Sequence, residues 1–205
     1  MVENRTAALA AVLRQSRVLP VLRVADAETA LGVVGQVADA GLPAVELTAT
    51  TAGWADALAE SRQRWPGLLA GVGTVTTERA ARQAAALGAS FIVSPYPAPE
   101  ARAVADEAGI PFIEGGFTPA EVAAAASRGI AKLFPAHVGG SQYLSSLLQV
   151  LPEAQIIPTG GIKPADAASW LNAGALAVGV GRALLTGDVR ATVAALSAQA
   201  SGPRA

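Results

Sequence analysis

The chain has 205 residues, with 15 basic and 16 acidic side chains and a formal net charge of −1. That near-balance, with arginines scattered rather than gathered in a stripe, gives no electrostatic case for nucleic acid or a membrane surface as a partner. The absence of cysteine excludes disulfides and thiolate chemistry, and a single histidine, His137, excludes a histidine-built metal centre.

Hydrophobic residues make up 52% of the chain. That suits one domain with a substantial buried core, at the short end for a complete β/α barrel. The opening Met1-Val2-Glu3-Asn4-Arg5 is polar, and no apolar run reaches membrane-spanning length. We therefore expect a cytoplasmic protein with no membrane partner. Thirteen of the 15 basic residues are Arg and two are Lys, so a lysine inside an apolar run stands out.

The predicted elements alternate. A helix over Thr6–Gln15 precedes the first strand, Val18–Arg23, and a helix over Ala27–Ala40 follows it. Next come strand Ala44–Leu47 with helix Ala52–Arg64, strand Ala70–Val72 with helix Thr77–Leu87, and strand Phe91–Val93 with helix Ala98–Ala108. The second half repeats the scheme: Pro111–Ile113 with Pro119–Arg128, Ala131–Leu133 with Ser141–Leu151, Ile156–Pro158 with Pro164–Ala173, and Ala177–Val180 with Arg190–Gln199. The strands are short continuous apolar runs, as parallel strands covered by helices are. The helices carry apolar residues at helical spacing. Gly41, Gly88, Gly129 and Gly174 stand just past helix ends, and Pro119 and Pro164 at first helical positions. Eight such units in one composition regime predict a single (β/α)8 TIM barrel over residues 1–205, with an extra N-terminal helix and a frayed tail at 201–205. An open doubly wound sheet is the alternative.

In such a barrel the chemistry sits at the C-terminal strand ends. Lys132 lies within Ile130-Ala131-Lys132-Leu133-Phe134-Pro135. Burying an ammonium is costly, so a lysine there tends to be neutral or paired, and a neutral amine is the nucleophile that imine formation needs. The competing reading is a strand-end lysine that reaches its amine out to water. Glu46, within Val45-Glu46-Leu47-Thr48, either partners Lys132 and shuttles protons or forms a salt bridge on the rim. Gly160-Gly161 and Gly179-Val180-Gly181 follow the seventh and eighth strands, the common phosphate position in barrels. Arg182 either adds a charge-assisted contact there or faces solvent.

Together these residues resemble the family of 2-keto-3-deoxy-6-phosphogluconate (KDPG) and 4-hydroxy-2-oxoglutarate (KHG) aldolases. The matching stretches are Leu19–Arg23, Val45–Thr48, Gly71–Val75, Ile92–Pro95, Lys132–Ala136, Pro158–Ile162 and Ala177–Gly181, in family order. The resemblance implies a metal-free and cofactor-free class I lyase, assembled as a homotrimer, that cleaves a 2-keto acid to pyruvate and an aldehyde. It implies Lys132 as the Schiff-base lysine and Glu46 as general acid and base. It implies Thr74, Pro95 and Phe134 around the keto acid, and Gly160, Gly161 and Gly181 around a phosphate; Thr48, Gly179 and Arg182 join these candidates from their places at the strand ends.

Four departures bear on the substrate. Ala49-Thr50-Thr51 stands where many relatives have an arginine; other relatives carry it at the end of the first strand, so Arg23 is assigned to the substrate carboxylate. His137 replaces an acidic residue, with an exposed loop imidazole as its plain reading. Glu114-Gly115-Gly116-Phe117 replaces a Pro-Gly turn, and we expect Glu114 to add negative charge near the mouth. Arg182 stands where serine is common. A catalytically silent barrel that binds phosphate or keto acid is the rival reading. A decarboxylase or epimerase barrel would want an Asp-x-Lys pair or metal-binding histidines, which the sequence lacks.

Overall fold

The structure, a computed structural model, describes residues 2–184 and 189–192. Eight parallel strands run β1 Val18–Leu22, β2 Ala44–Thr48, β3 Leu69–Gly73, β4 Ile92–Val93, β5 Phe112–Gly116, β6 Ile130–Leu133, β7 Gln155–Pro158 and β8 Val178–Val180. They are ordered β7-β6-β5-β4-β3-β2-β1-β8. A parallel bridge between Thr159 and Gly179 joins the two ends of that order and closes the barrel. Helices α1 Val2–Ser16, α2 Ala27–Asp39, α3 Trp54–Arg64, α4 Glu78–Ala86, α5 Pro99–Ala108, α6 Pro119–Ala126, α7 Gly140–Val150 and α8 Ala167–Asn172 accompany them among the described residues. The expected (β/α)8 barrel with its N-terminal helix is therefore the observed one. The helix expected over Arg190–Gln199 and the tail at 201–205 lie largely or wholly outside the described residues.

The strands read as unbroken apolar runs because both faces are buried, and the period of two assigns each residue a side. Val18, Leu22, Val45, Leu47, Val72, Ile92, Phe112 and Ala131 face outward into the layer packed by the helices. Leu19, Ala44, Phe91, Val93, Ile113, Ile130, Ile157 and Ala177 form the interior cluster, and Leu9, Ala10 and Leu13 of α1 join it. The extra helix thus plugs the N-terminal end of the barrel and leaves the opposite mouth for chemistry. Gly71 makes room for the largest interior side chain: a methyl there would fall 2.3 Å from the Phe91 ring.

The largest difference from expectation among the strands is β5, which runs on through Glu114, Gly115 and Gly116 instead of ending at Ile113. The two glycines let neighbouring backbone come close. A methyl on Gly115 would fall 2.2 Å from the Pro95 backbone, and one on Gly116 2.7 Å from Glu121. The helix after β7 starts as a 3-10 turn, Pro164–Asp166, before α8 proper.

Candidate active site

The interior parity that places Leu19 and Ile130 low in the barrel brings Arg23, Glu46, Gly73, Gly115, Lys132 and Thr159 to its upper end. Lys132 stands in register with Gly115 on one side and Ile157 on the other. Glu46 stands between Val21 and Gly71. Across the barrel, Lys132 Nζ donates to Glu46 Oε1 at 3.2 Å. Both are shielded, at 5% and 1% exposure, so the pair is desolvated and each group relies on the other as its polar partner. Glu46 Oε2 is buried without a hydrogen-bond partner among the described residues. An acceptor buried without a protein partner is costly. Nζ also lies 5.8 Å from the centroid of the Phe134 ring, within cation–π range.

Thr74 follows β3 at φ 61, a left-handed conformation that is strained for a β-branched residue. Backbone bonds on either side hold it there: Ala49 N–H to Gly73 O at 2.8 Å and Val75 N–H to Val93 O at 3.0 Å. Its hydroxyl accepts from Arg23 Nη2 at 3.1 Å. Arg23 is exposed at the mouth, so its remaining guanidinium donors face solvent. Pro95 is half-buried above Gly115. The Gly115 N–H donates to the Ser94 hydroxyl at 3.3 Å, tying the two strand ends together.

Other candidates are placed differently from expectation. Thr48 is fully buried: its hydroxyl donates to Leu22 O at 3.1 Å and also meets Thr51 and Thr50. That hydroxyl is committed to fastening the loop after β2 onto β1. Gly179 is buried beneath Thr159, whose hydroxyl lies 2.2 Å from where a methyl on Gly179 would be, so it serves packing. Glu114 does not add charge to the mouth. Being one residue out of phase with Gly115, it points outward, where its Oε1 accepts from Ala98 N–H at 3.2 Å. Its Oε2 accepts from Arg102 Nε at 3.1 Å and Arg128 Nη2 at 2.7 Å. Arg102 Nη2 is also 3.1 Å from that oxygen, an ionic contact angled too poorly to be a hydrogen bond.

At the glycine end, Gly160 and Gly161 have φ of 100 and 72, which turns the backbone sharply after β7. A side chain on Gly160 would meet the Phe134 ring at 3.0 Å, and one on Gly161 would meet His137 at 2.7 Å. Gly181 lies near Val21 O, and exposed Arg182 opens a 3-10 turn, Arg182–Leu184. The sequence reading missed the clearances at Gly73 and Gly115. The strand period of two, applied from Glu46 and Lys132, carries that signal.

The arrangement offers a buried primary amine, a carboxylate at hydrogen-bonding distance, a guanidinium at the rim and a bare glycine turn, all on one mouth. A model of the "KDPG and KHG aldolase" family matches residues 9–195. A 2-dehydro-3-deoxy-phosphogluconate aldolase of Treponema pallidum is 36% identical over 153 residues, 73% of each chain. The solved structure of a 4-hydroxy-2-oxoglutarate/2-dehydro-3-deoxyphosphogluconate aldolase from TTHB1 is 39% identical, with TM-score 0.83, covering 94% of this chain and 98% of that one. The structure of a KDPG aldolase from Legionella pneumophila, with pyruvate captured as a covalent carbinolamine, is 27% identical with TM-score 0.79, covering 93% of this chain and 95% of that one.

Proposed function

The chain belongs to the KDPG and KHG aldolase family, lyases of the class I type, and on that premise we propose that Lys132 and Glu46 carry the carbon–carbon cleavage here. One observation carries the assignment: the 3.2 Å contact between a buried amine and a buried carboxylate at the barrel mouth.

The reaction follows from those two groups. The Lys132 amine attacks C2 of the 2-keto acid to give a carbinolamine, and loss of water gives an iminium. The iminium is the electron sink. Glu46 takes the proton from the C4 hydroxyl, the C3–C4 bond breaks, the aldehyde leaves and the electron pair becomes an enamine. Protonation at C3 and addition of water at C2 release pyruvate and regenerate the amine. The Glu46 Oε2 atom supports this role, since Oε1 is held by Lys132 while the other oxygen has no protein donor committed to it.

Arg23 binds the substrate carboxylate, with Thr74 holding its guanidinium in place. Pro95 and Phe134 wall the keto-acid pocket. Gly160, Gly161 and Gly181 present backbone amides to a terminal phosphate, with Arg182 as an added cation. Thr48 acts through the loop it fastens, and Gly179 through packing. The substrate is a 2-keto-3-deoxy sugar acid, phosphorylated at C6, cleaved to pyruvate and glyceraldehyde 3-phosphate; 4-hydroxy-2-oxoglutarate, giving glyoxylate, is the shorter alternative. Among the described residues no helix is long and apolar enough to cross a membrane. We place the enzyme in the cytoplasm, as a single-domain homotrimer without nucleic-acid or membrane partners.

The test is a panel of phosphorylated and unphosphorylated 2-keto-4-hydroxy acids coupled to pyruvate detection. The expected result is the highest kcat/KM for the 6-phosphorylated sugar acid. Release of pyruvate from none of them would overturn the reading and leave the silent barrel in its place.

A further inference from the structure

The imidazole of His137 lies in the glycine end of the site, although the reaction gives it no role. It sits in the 3-10 turn Ala136–Val138 that follows β6. Two backbone bonds fix that turn onto the loop after β7: Ala136 N–H to Thr159 O at 2.9 Å and His137 N–H to Gly160 O at 3.1 Å. The backbone that carries the ring therefore keeps its place relative to the glycines. Its Cγ and Nδ1 would lie 2.7 and 2.8 Å from a methyl on Gly161, so the imidazole rests directly on that residue. The side chain is exposed and has no hydrogen-bond or ionic partner among the described residues.

Its position along the site follows from a short chain of contacts. The amine of Lys132 is 5.8 Å from the Phe134 ring. The same ring packs under Gly160, and His137 packs against Gly161. A substrate joined to Lys132 through C2 and running over Phe134 reaches the imidazole only with its far end. Lys163 and Arg182, both exposed, come shortly after Gly161 and Gly181 in the chain.

We infer that His137 is a specificity-determining residue that donates an imidazole N–H to the terminal phosphate of the substrate, selecting the long phosphorylated acid over shorter or dephosphorylated ones. This deepens the phosphate reading given above and rests on it. The Gly160-Gly161 amides supply donors from the backbone, and His137 adds a side-chain donor on the same turn. The neutral ring has one N–H to give and the imidazolium two, so the contact holds in either charge state. A dicarboxylate such as 4-hydroxy-2-oxoglutarate ends too near C2 to reach it.

The experiment measures steady-state kinetics of wild type, His137→Ala and His137→Gln on three substrates: the 6-phosphorylated acid, its dephosphorylated counterpart and 4-hydroxy-2-oxoglutarate. A hydrogen bond to a charged group is worth about 1.5–3 kcal/mol, or roughly ten- to a hundredfold. His137→Ala is expected to raise KM for the phosphorylated acid by about tenfold or more, with kcat unchanged and the other two substrates unaffected. Competitive inhibition by inorganic phosphate should weaken in step. His137→Gln, which keeps an N–H donor, is expected to retain most of the affinity. An equal rise of KM on all three substrates, or no change on any, overturns the role of His137. A wild-type enzyme that treats the phosphorylated and dephosphorylated acids alike overturns the phosphate reading beneath it instead.

Discussion

Gly73 is the residue that makes room for Glu46: a methyl on Gly73 would fall 1.8 Å from Glu46 Oε1 and 2.4 Å from its carboxyl carbon. The two face each other from adjacent strands, β3 and β2, and no side chain fits between them. Gly73→Ala is therefore expected to push the carboxylate off Lys132 without removing it. General acid–base catalysis contributes about a hundred- to ten-thousandfold. Cleavage should fall by roughly a hundredfold, near the low end of that range, while pyruvate still forms its imine. An unchanged kcat would show that the carboxylate can work from elsewhere.

Glu46→Gln removes the proton carrier and keeps the shape. The amide still accepts from Lys132, so the fold and the imine should survive. Single-turnover cleavage should slow by about a hundred- to ten-thousandfold. If cleavage keeps its rate, another group moves the C4 proton.

Arg23 is exposed, so its removal should leave the melting temperature alone. Arg23→Met should raise KM for pyruvate in the exchange reaction by roughly ten- to a hundredfold, the worth of a charge-assisted contact. The affinity for inorganic phosphate should not change. Equal weakening of both ligands would place Arg23 in neither pocket specifically.

Glu114 and Arg102 form a buried ion pair on the outer face of β5, and Arg102 also stacks on Phe112 at 4.7 Å. Glu114→Ala leaves Arg102 with only its 4.0 Å contact to exposed Asp106, and breaking such a buried pair typically costs about 3–5 kcal/mol. Because Glu114 also caps Ala98 N–H, the loop carrying Pro95 should loosen. Chemical denaturation should show the loss, and amide exchange at residues 94–98 should speed up. Unaltered exchange there would detach Glu114 from the pocket wall.

The Thr118 and Phe117 backbone amides, together with the Thr118 hydroxyl, hold the Glu121 carboxyl below its ordinary value of 4.5. These contacts are the capping box of α6. A carboxyl depressed on folding stabilises fully above its unfolded value, and that contribution drains as pH falls through the lower folded value. Glu121→Gln should accordingly lower the melting temperature at neutral pH and make less difference in strong acid. A gap that widens on acidification would contradict the sign.

Much of the fold is legible because both strand faces are apolar and most helices are punctuated by glycine or proline, as at Gly41 and Pro119. The barrel, its plugging helix and the strand-end candidates follow from that pattern. The side on which β5 residues fall does not. Glu114-Gly115-Gly116 reads as a turn, so the strand looks finished before its period of two can be applied to Glu114. Thr48 keeps the right parity, yet its hydroxyl is taken by Leu22 O, a neighbour 26 positions away in the chain. The meeting of Lys132 with Glu46 spans 86 positions and depends on the closure of the whole sheet. His137 reads as a loop imidazole, and only the backbone tie to Gly160 brings it to the glycine turn.

The central claim is that the side-chain nitrogen of Lys132 becomes bonded to substrate carbon. Mass spectrometry after pyruvate and borohydride treatment tests it directly. We expect one reduced pyruvate per chain, mapped to the peptide containing Lys132 and lost in Lys132→Ala. Labelling that persists in Lys132→Ala, or that maps to Lys163, would contradict the account.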